Sequence, residues 1–319
     1  MIRTLSTGDL LSVRTLATRD GATELTAPNW PKTPPENRQP TTWALIRDAL
    51  IPRGGMARVG LALEHERPQG LIVAQPRASG LVWDVEHLIV PPSHDLGIEL
   101  LHWACDQAAS HLARRIFLET LEEGPGFELA SRAGFEQCTT GTMFVLPPGA
   151  TVDKADAVPA RPRLRSDEMG LFQLYNAVVP APVRAAEALD YQEWASLHRG
   201  RKPWTPSLVG AQDYVWEMGP RIVGWMHLVY GERAQYMHLI IHPQADALAQ
   251  RMLRDALGQL SMKVPILADT REYQGSVQEA LHTLGFETGH HYVVWVKQFA
   301  QRISEPAVAS VQAQPPALA

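Results

Sequence analysis

The sequence predicts an α/β (α+β) protein built as two tandem copies of one domain. Three observations predict it. At ~150 residues per domain, 319 residues make about two domains. A shift of 151 residues lays Trp43-Ala44 on Trp194-Ala195, His87-Leu88-Ile89 on His238-Leu239-Ile240, and Gly134-Phe135 on Gly285-Phe286. Glu66 falls on Glu217, Pro92 on Pro243 and Glu128 on Glu279 in the same register. A period this long is a whole domain and not a solenoid unit. The third observation is that helical and strand-like patterns follow one another in the same order in both halves.

Each half opens on a short strand. Arg3-Thr4-Leu5 leads to Ser6, which starts a helix with Asp9 in its first turn and Leu10, Leu11, Val13, Leu16 and Ala17 on its apolar side. In the second half Arg163-Leu164-Arg165 precedes a Ser166 cap, then Met169, Leu171, Phe172 and Leu174. A second helix carries Trp43 or Trp194. Three strand-like runs follow, at 57–63, 70–75 and 81–90, or 206–217, 222–230 and 235–241. Next comes an amphipathic helix with Ile98, Leu101, Cys105, Ala108 and Leu112, or Leu248, Met252, Leu253, Ala256 and Leu260. A strand at 115–119 or 265–269 leads to a short helix that ends in Gly-Phe. The glycine suits a left-handed C-cap, and the phenylalanine returns to the core. Last strands contain Met143-Phe144-Val145 and residues 292–296.

The Pro-, Ala- and charge-rich stretch at 148–162 has no apolar period and reads as a linker. The expected domains are therefore 1–147 and 163–303, with a disordered Ala/Pro/Gln-rich tail at 304–319. Composition is 45% hydrophobic and 20% charged, which is ordinary for a globular chain. No apolar run reaches the ~18 residues that would span a bilayer, so no membrane role is expected. A net charge of −5 argues against a nucleic-acid partner. Cys105 and Cys138 are the only cysteines, so neither a disulfide framework nor a zinc cluster is expected, and a reducing cytoplasm fits. No metal site is expected: His290-His291 and the His238/His242 pair lack a metal-binding pattern and read as structural histidines.

The element order, the Gly-Phe after the last helix, and the stretches Val85-Glu86-His87-Leu88-Ile89-Val90-Pro91-Pro92 and Met237-His238-Leu239-Ile240-Ile241-His242-Pro243 resemble the GCN5-related N-acetyltransferase superfamily. Two such domains in this length also resemble the layout of mycothiol synthases. The resemblance implies a mixed central β-sheet flanked by helices in each half. It further implies that the fourth and fifth strands splay apart, with acetyl-CoA or another acyl-CoA as co-substrate in the gap, paired to the fourth strand's backbone. The diphosphate would sit on the amides of the next turn, at a helix N-terminus. On this basis Leu88, Val90, Leu96, Gly97, Ile98, Leu239 and Ile241 are candidate co-substrate contacts. Asp84 and Glu86, placed on one face with Leu88 and Val90 by strand alternation, are candidate general bases.

The sequence also departs from the family pattern. The glycine-rich turn is reduced to Gly97 in the first half and has no glycine in the second. Asp95 and Asp246 stand at the two helix starts as expected N-caps, where a carboxylate would repel a diphosphate. Where many members carry a tyrosine on the last helix, this chain has Ala130 and Leu281. His87 and His238, which repeat one another, read as packing or hydrogen-bonding residues. The segment 26–40 and the basic-aromatic run 199–204 lie where substrate loops are expected. The function expected is acyl transfer from acyl-CoA to a small-molecule or peptide amine, with at least one half degenerate. The first half, which keeps Gly97, Ile98 and strand acids, is the better candidate for the working site. The alternative is a catalytically inactive protein that binds a ligand or partner through the same cleft.

Overall fold

The computed structural model describes residues 1–6, 9, 16, 23–27, 58–65, 67–77, 79–91, 94–151, 156–187, 190–199 and 210–300. The expected helix around Trp43, most of the first helix, Glu66, Pro92, the stretch 28–40, the cluster at 200–204 and the tail at 304–319 lie outside these residues.

The first half contains β1 (Ile2–Thr4), β2 (Thr23–Glu24), β3 (Arg58–Glu64), β4 (Arg67–Pro76) and β5 (Val82–Val90). It continues with α1 (His94–Ser110), β6 (Arg115–Leu121), α2 (Pro125–Arg132) and β7 (Glu136–Leu146). The second half contains β8 (Arg161–Pro162), α3 (Glu168–Val178), α4 (Ala181–Glu187), α5 (Tyr191–Arg199), β9 (Gly210–Met218), β10 (Arg221–Tyr230) and β11 (Gln235–Ile241). A 3-10 turn at Pro243–Leu248 then leads into α6 (Ala249–Gly258), β12 (Ile266–Arg271), α7 (Gly275–Thr283) and β13 (Glu287–Gln298).

Local chemistry explains the element ends. Both short helices close on the predicted glycine, with Gly134 at φ 78° and Gly285 at φ 88°. The next residues then bond back, Phe135 N–H to Ala130 O and Phe286 N–H to Leu281 O, both at 3.1 Å. The first-helix starts are held differently from the serine caps expected. Asp9 accepts from the backbone N–H and hydroxyl of Ser6 (2.8 and 2.6 Å), and Asp167 accepts from Leu164 N–H (2.7 Å). Each carboxylate is also gripped at both oxygens by the arginine six residues earlier, Arg3 or Arg161.

The two halves share one sheet, in the order β1-β3-β4-β5-β6-β13-β7-β12-β11-β10-β9-β8, with β2 added on β5. Chain order is broken at the centre. β13, the last strand of the second half, pairs with β6 of the first, and β7, the last strand of the first half, pairs with β12 of the second. Each half thus donates its final strand to the other, and the two donated strands pair antiparallel in the middle. Their register sets Gly141 opposite Tyr292, residues related by the 151-residue shift, so the pseudo-twofold axis of the repeat passes between them. This exchange also explains why β7 and β13 run well beyond the apolar stretches that marked them: each has a ladder on both sides.

Helices α1, α2, α6 and α7 cover one face, over Leu88, Val90, Trp295, Phe144, Leu239 and Ile241. The other face carries α3, α4 and α5 over Val215, Trp225, Phe117 and Val294. Helix α4 belongs to the second half, yet its Ala186 packs on Phe117 of the first, and the buried Arg115 reaches the Ala185 and Ala186 carbonyls and the Glu193 carboxylate. No described helix is long and apolar enough to cross a membrane.

Candidate active site

The parallel pairs β5–β6 and β11–β12 stop in register at Val85–Leu118 and at His238–Asp269. Beyond these points residues 86–90 part from 119–121, and residues 239–241 part from 270–271. Both halves therefore have a splayed gap.

The first gap is filled by the chain itself. Thr23 and Glu24 pair with Val90 and Ile89, and Thr26 bridges to Thr120. Leu25 N–H donates to Leu88 O (2.9 Å) and Ala27 N–H to Glu119 O (2.7 Å). The Glu24 carboxylate accepts from Leu88 N–H at 2.8 Å and from the Thr26 hydroxyl at 2.6 Å, and lies 3.2 Å from His87 Nδ1. Residues 23–27 thus act as a short extra strand across both sides of the gap.

The candidate bases of this half are separated by a bulge. The β4–β5 register passes from Val73–His87 to Ala74–Val85, leaving Glu86 as the extra residue. Alternation breaks there, so Asp84 lies on the face opposite Leu88 and Val90, which corrects the single-face expectation. Asp84 is held at both oxygens by Arg77 (2.7 and 2.8 Å), while Glu86 is buried and hydrogen-bonded by Gln75. Leu88 and Val90 are core residues, with Leu96 and Ile98 packed against them. Gly97 is buried in α1, where a β-carbon would strike the Leu129 side chain of α2. Its role in the fold is close helix packing.

The second gap has a different lining. Leu239 and Ile241 point into the core beneath it. On the opposite face the last paired residues, His238 and Asp269, face one another, Nδ1 to Oδ2 at 3.6 Å. The Tyr292 hydroxyl donates to the other Asp269 oxygen, and Tyr236 donates to Oδ2 at 3.4 Å. Tyr292 reaches Asp269 from β13 by crossing β7 at Gly141, where any β-carbon would collide with its ring. Arg271 lies over the Tyr292 ring, 5.1 Å from its centroid, and contacts Glu119 at 3.4 Å. Burial acts to raise the Asp269 pKa, but His238, the Arg271 charge and Tyr292 outweigh it and bring the carboxyl down to about 2. Burial pushes the Tyr292 hydroxyl well up from its ordinary value, so it stays a proton donor. Trp225 closes the other side of His238, edge-on at 5.7 Å between ring centroids. Across the top of this gap lies Gln274, whose Nε2 donates to Leu239 O (2.6 Å) and whose Oε1 accepts from Arg271 N–H (2.8 Å).

Neither helix-start aspartate caps its own helix. Asp95 pairs with Arg132 of α2, and Asp246 accepts from Ser276 of α7. In the turn after β11, His242 Nδ1 accepts from Gln244 N–H, and Arg221 reaches the Gln244 side chain. Beside it a cavity of ≈ 420 Å³ is walled by Gln173, Leu174, Arg221, Ile222 and His242.

Sequence reasoning read His238 as a packing or hydrogen-bonding residue and did not reach Asp269, Tyr292 or Gln274. A signal existed in the places where the copies disagree. The 151-residue shift sets Asp269 on Leu118 and Tyr292 on Gly141, so one half carries polar chemistry where the other carries apolar side chains or none.

No family model matches the chain, and no curated protein matches it by sequence. Solved structures do resemble it. A GCN5-related N-acetyltransferase from Sphaerobacter thermophilus superposes with a TM-score of 0.57 at 14% identity, over 93% of this chain and 95% of that one. A tandem protein of the same family from the clavulanic acid biosynthesis pathway superposes with a TM-score of 0.54 at 17% identity, over 93% of this chain and 98% of that one. The chain has the GCN5-related N-acetyltransferase fold in tandem.

Proposed function

We propose that the protein is an acyl-CoA-dependent N-acyltransferase whose working site lies in its second half, with His238 as general base. The observation that carries this reading is the His238–Asp269 pair, set at the point where β11 and β12 part. In the first half the last paired residues are Val85 and Leu118, and His87, the repeat counterpart of His238, is paired with Glu24 of the very segment, residues 23–27, that occupies the gap. Gly97 and the strand acids favoured the first half at the level of sequence. Their packing and pairing in the fold favour the second.

An acyl-CoA would supply the activated thioester. The gap fits such a group because Leu239 O and Arg271 N–H face one another across it and are bridged by a side-chain amide, so a ligand amide could meet the same two atoms. The cavity bearing Arg221 and His242 offers positive and polar groups near the turn that lacks glycines. The Asp246 carboxylate of that turn accepts a hydrogen bond from Ser276 of α7. In this site the Asp269 carboxylate faces Nδ1 of His238 at 3.6 Å. His238 takes a proton from the acceptor amine, the amine nitrogen forms its bond to the acyl carbon, and the carbon–sulfur bond breaks with the pair leaving on sulfur. The proton held by His238 then passes, directly or through solvent, to the leaving thiolate, so that a neutral amine and a thioester give an amide and a thiol with His238 returned to its starting form.

A second reading, ligand binding without catalysis, is favoured by the two filled gaps. Release of free thiol from acetyl-CoA, followed across a panel of primary amines, separates the two. Thiol release that needs an amine and falls about 10²–10⁴-fold in His238→Ala supports the enzyme. Binding of acetyl-CoA with no amine-dependent thiol release supports the alternative.

A further inference from the structure

We infer that each half fills its gap with its own substitute for a ligand amide, sealed in the first half and exchangeable in the second, where Gln274 is the one filler among the described residues. The inference rests on the acyltransferase reading and deepens it: the chain takes one acyl-CoA, and Gln274 is the residue that gives way to it.

The two substitutes act on the same atom of the repeat. Leu88 and Leu239 are 151 residues apart in matched positions. The Leu88 carbonyl accepts from Leu25 N–H, and the Leu239 carbonyl accepts from Gln274 Nε2. A splayed strand leaves such a carbonyl without a ladder partner, and a buried acceptor left empty is costly. Both halves have met that cost from within the chain, by different means.

The means differ in how easily they can be undone. In the first half the donor is main chain. Opening the gap would break the Leu25 and Ala27 backbone bonds, release the Glu24 carboxylate from Leu88 N–H, and draw the buried Leu25 and Ala27 side chains out of two core clusters. In the second half the filler is one side chain with two hydrogen bonds, Nε2 to Leu239 O and Oε1 from Arg271 N–H. Rotation about its side-chain torsions frees both strand atoms while β11 and β12 stay in place. A ligand with a secondary amide restores both bonds, its N–H on Leu239 O and its carbonyl on Arg271 N–H. The extended, amide-bearing arm of an acyl-CoA has this chemistry.

Titration calorimetry of the full chain with acetyl-CoA tests the inference. One site per chain is expected. Gln274→Ala and Gln274→Met, the second keeping the length of the side chain, should each bind acetyl-CoA about threefold to tenfold more tightly than the parent, the reach of one net hydrogen bond. If the alanine variant fails to fold, the methionine variant carries the comparison. Two sites per chain would overturn the sealed first half. Unchanged or weaker binding in the variants, with the parent binding, would overturn the role of Gln274 and leave the acyltransferase reading intact. No binding by parent or variants would overturn that reading and this inference together.

Discussion

Three of the groups around Asp269 differ in kind: His238, the Tyr292 hydroxyl and the Arg271 charge. All three favour its ionised form, and together they hold it near 2 despite burial. The sign of the linkage follows. A carboxyl lower in the fold than in the open chain adds stability that is complete above the ordinary carboxylate range and is lost as pH falls toward 2. Urea midpoints measured from pH 5 down to pH 2 should therefore fall, and Asp269→Asn should remove about 2 kcal/mol of that fall. The same variant should lower amine-dependent thiol release about 10²-fold or more, because His238 loses the carboxylate that faces its Nδ1. Gly141 belongs to the same site through its lack of a side chain. Gly141→Ala forces the Tyr292 ring off Asp269 and should cost about 1–3 kcal/mol of stability, read by denaturant melting.

At the scale of elements, Asp167 shows how the sequence can be right about a helix and wrong about its start. The run Arg163-Leu164-Arg165-Ser166 marked a helix entry, and α3 follows it. The cap was assigned to Ser166 by residue type, whereas the carboxylate of Asp167 reaches back to Leu164 N–H and is clamped by Arg161. Asp167→Ala should cost about 2 kcal/mol. Hydrogen bonding from Arg161 keeps the Asp167 carboxyl below its ordinary value, so its contribution also fades as pH drops through the carboxylate range. Strand β5 gives the complementary case. Its limits were legible from its apolar run, while the bulge at Glu86 was not, because a bulge depends on the register of the partner strand. The gap fillings were hidden for a like reason. Glu24, Leu25 and Gln274 matter through atoms far away in sequence, and a local pattern carries no trace of Leu88 O or Leu239 O.

For the whole molecule, the 151-residue period disclosed two copies of one fold, and the copies are there. The period could not say that they trade strands. Each final strand has the same apolar character, so either would satisfy either sheet, and the choice is made by the third dimension. The domain limits at 1–147 and 163–303 remain useful as a proposal for where the chemistry repeats. As units to be cut apart they should fail. Residues 1–150 produced alone would leave the β6 edge without β13 and β7 without β12. Size-exclusion chromatography with light scattering should find that fragment as a homodimer, made by exchange between two copies, or as aggregate. A stable monomer with parent-like circular dichroism would count against the exchange as a requirement of the fold.

The exchange also sets an order in time. The edge of β6 is closed by Glu287–Gln298, which are joined to the growing chain some 166 residues after Leu121 has been made. A domain that emerges first is thereby completed last. During synthesis the first half must wait with an open sheet edge until the second half has been made, and long-range pairing of this kind is slow and exposed to misassembly. Nascent chains arrested before Glu287 should show unprotected amides along β6 in hydrogen exchange, with protection arriving only when β13 is free to insert. Helix α4, lying over Phe117 from the second half, imposes the same delay on the opposite face. The gene therefore encodes two similar domains in sequence, but the ribosome delivers a single cooperative object whose beginning is finished by its end.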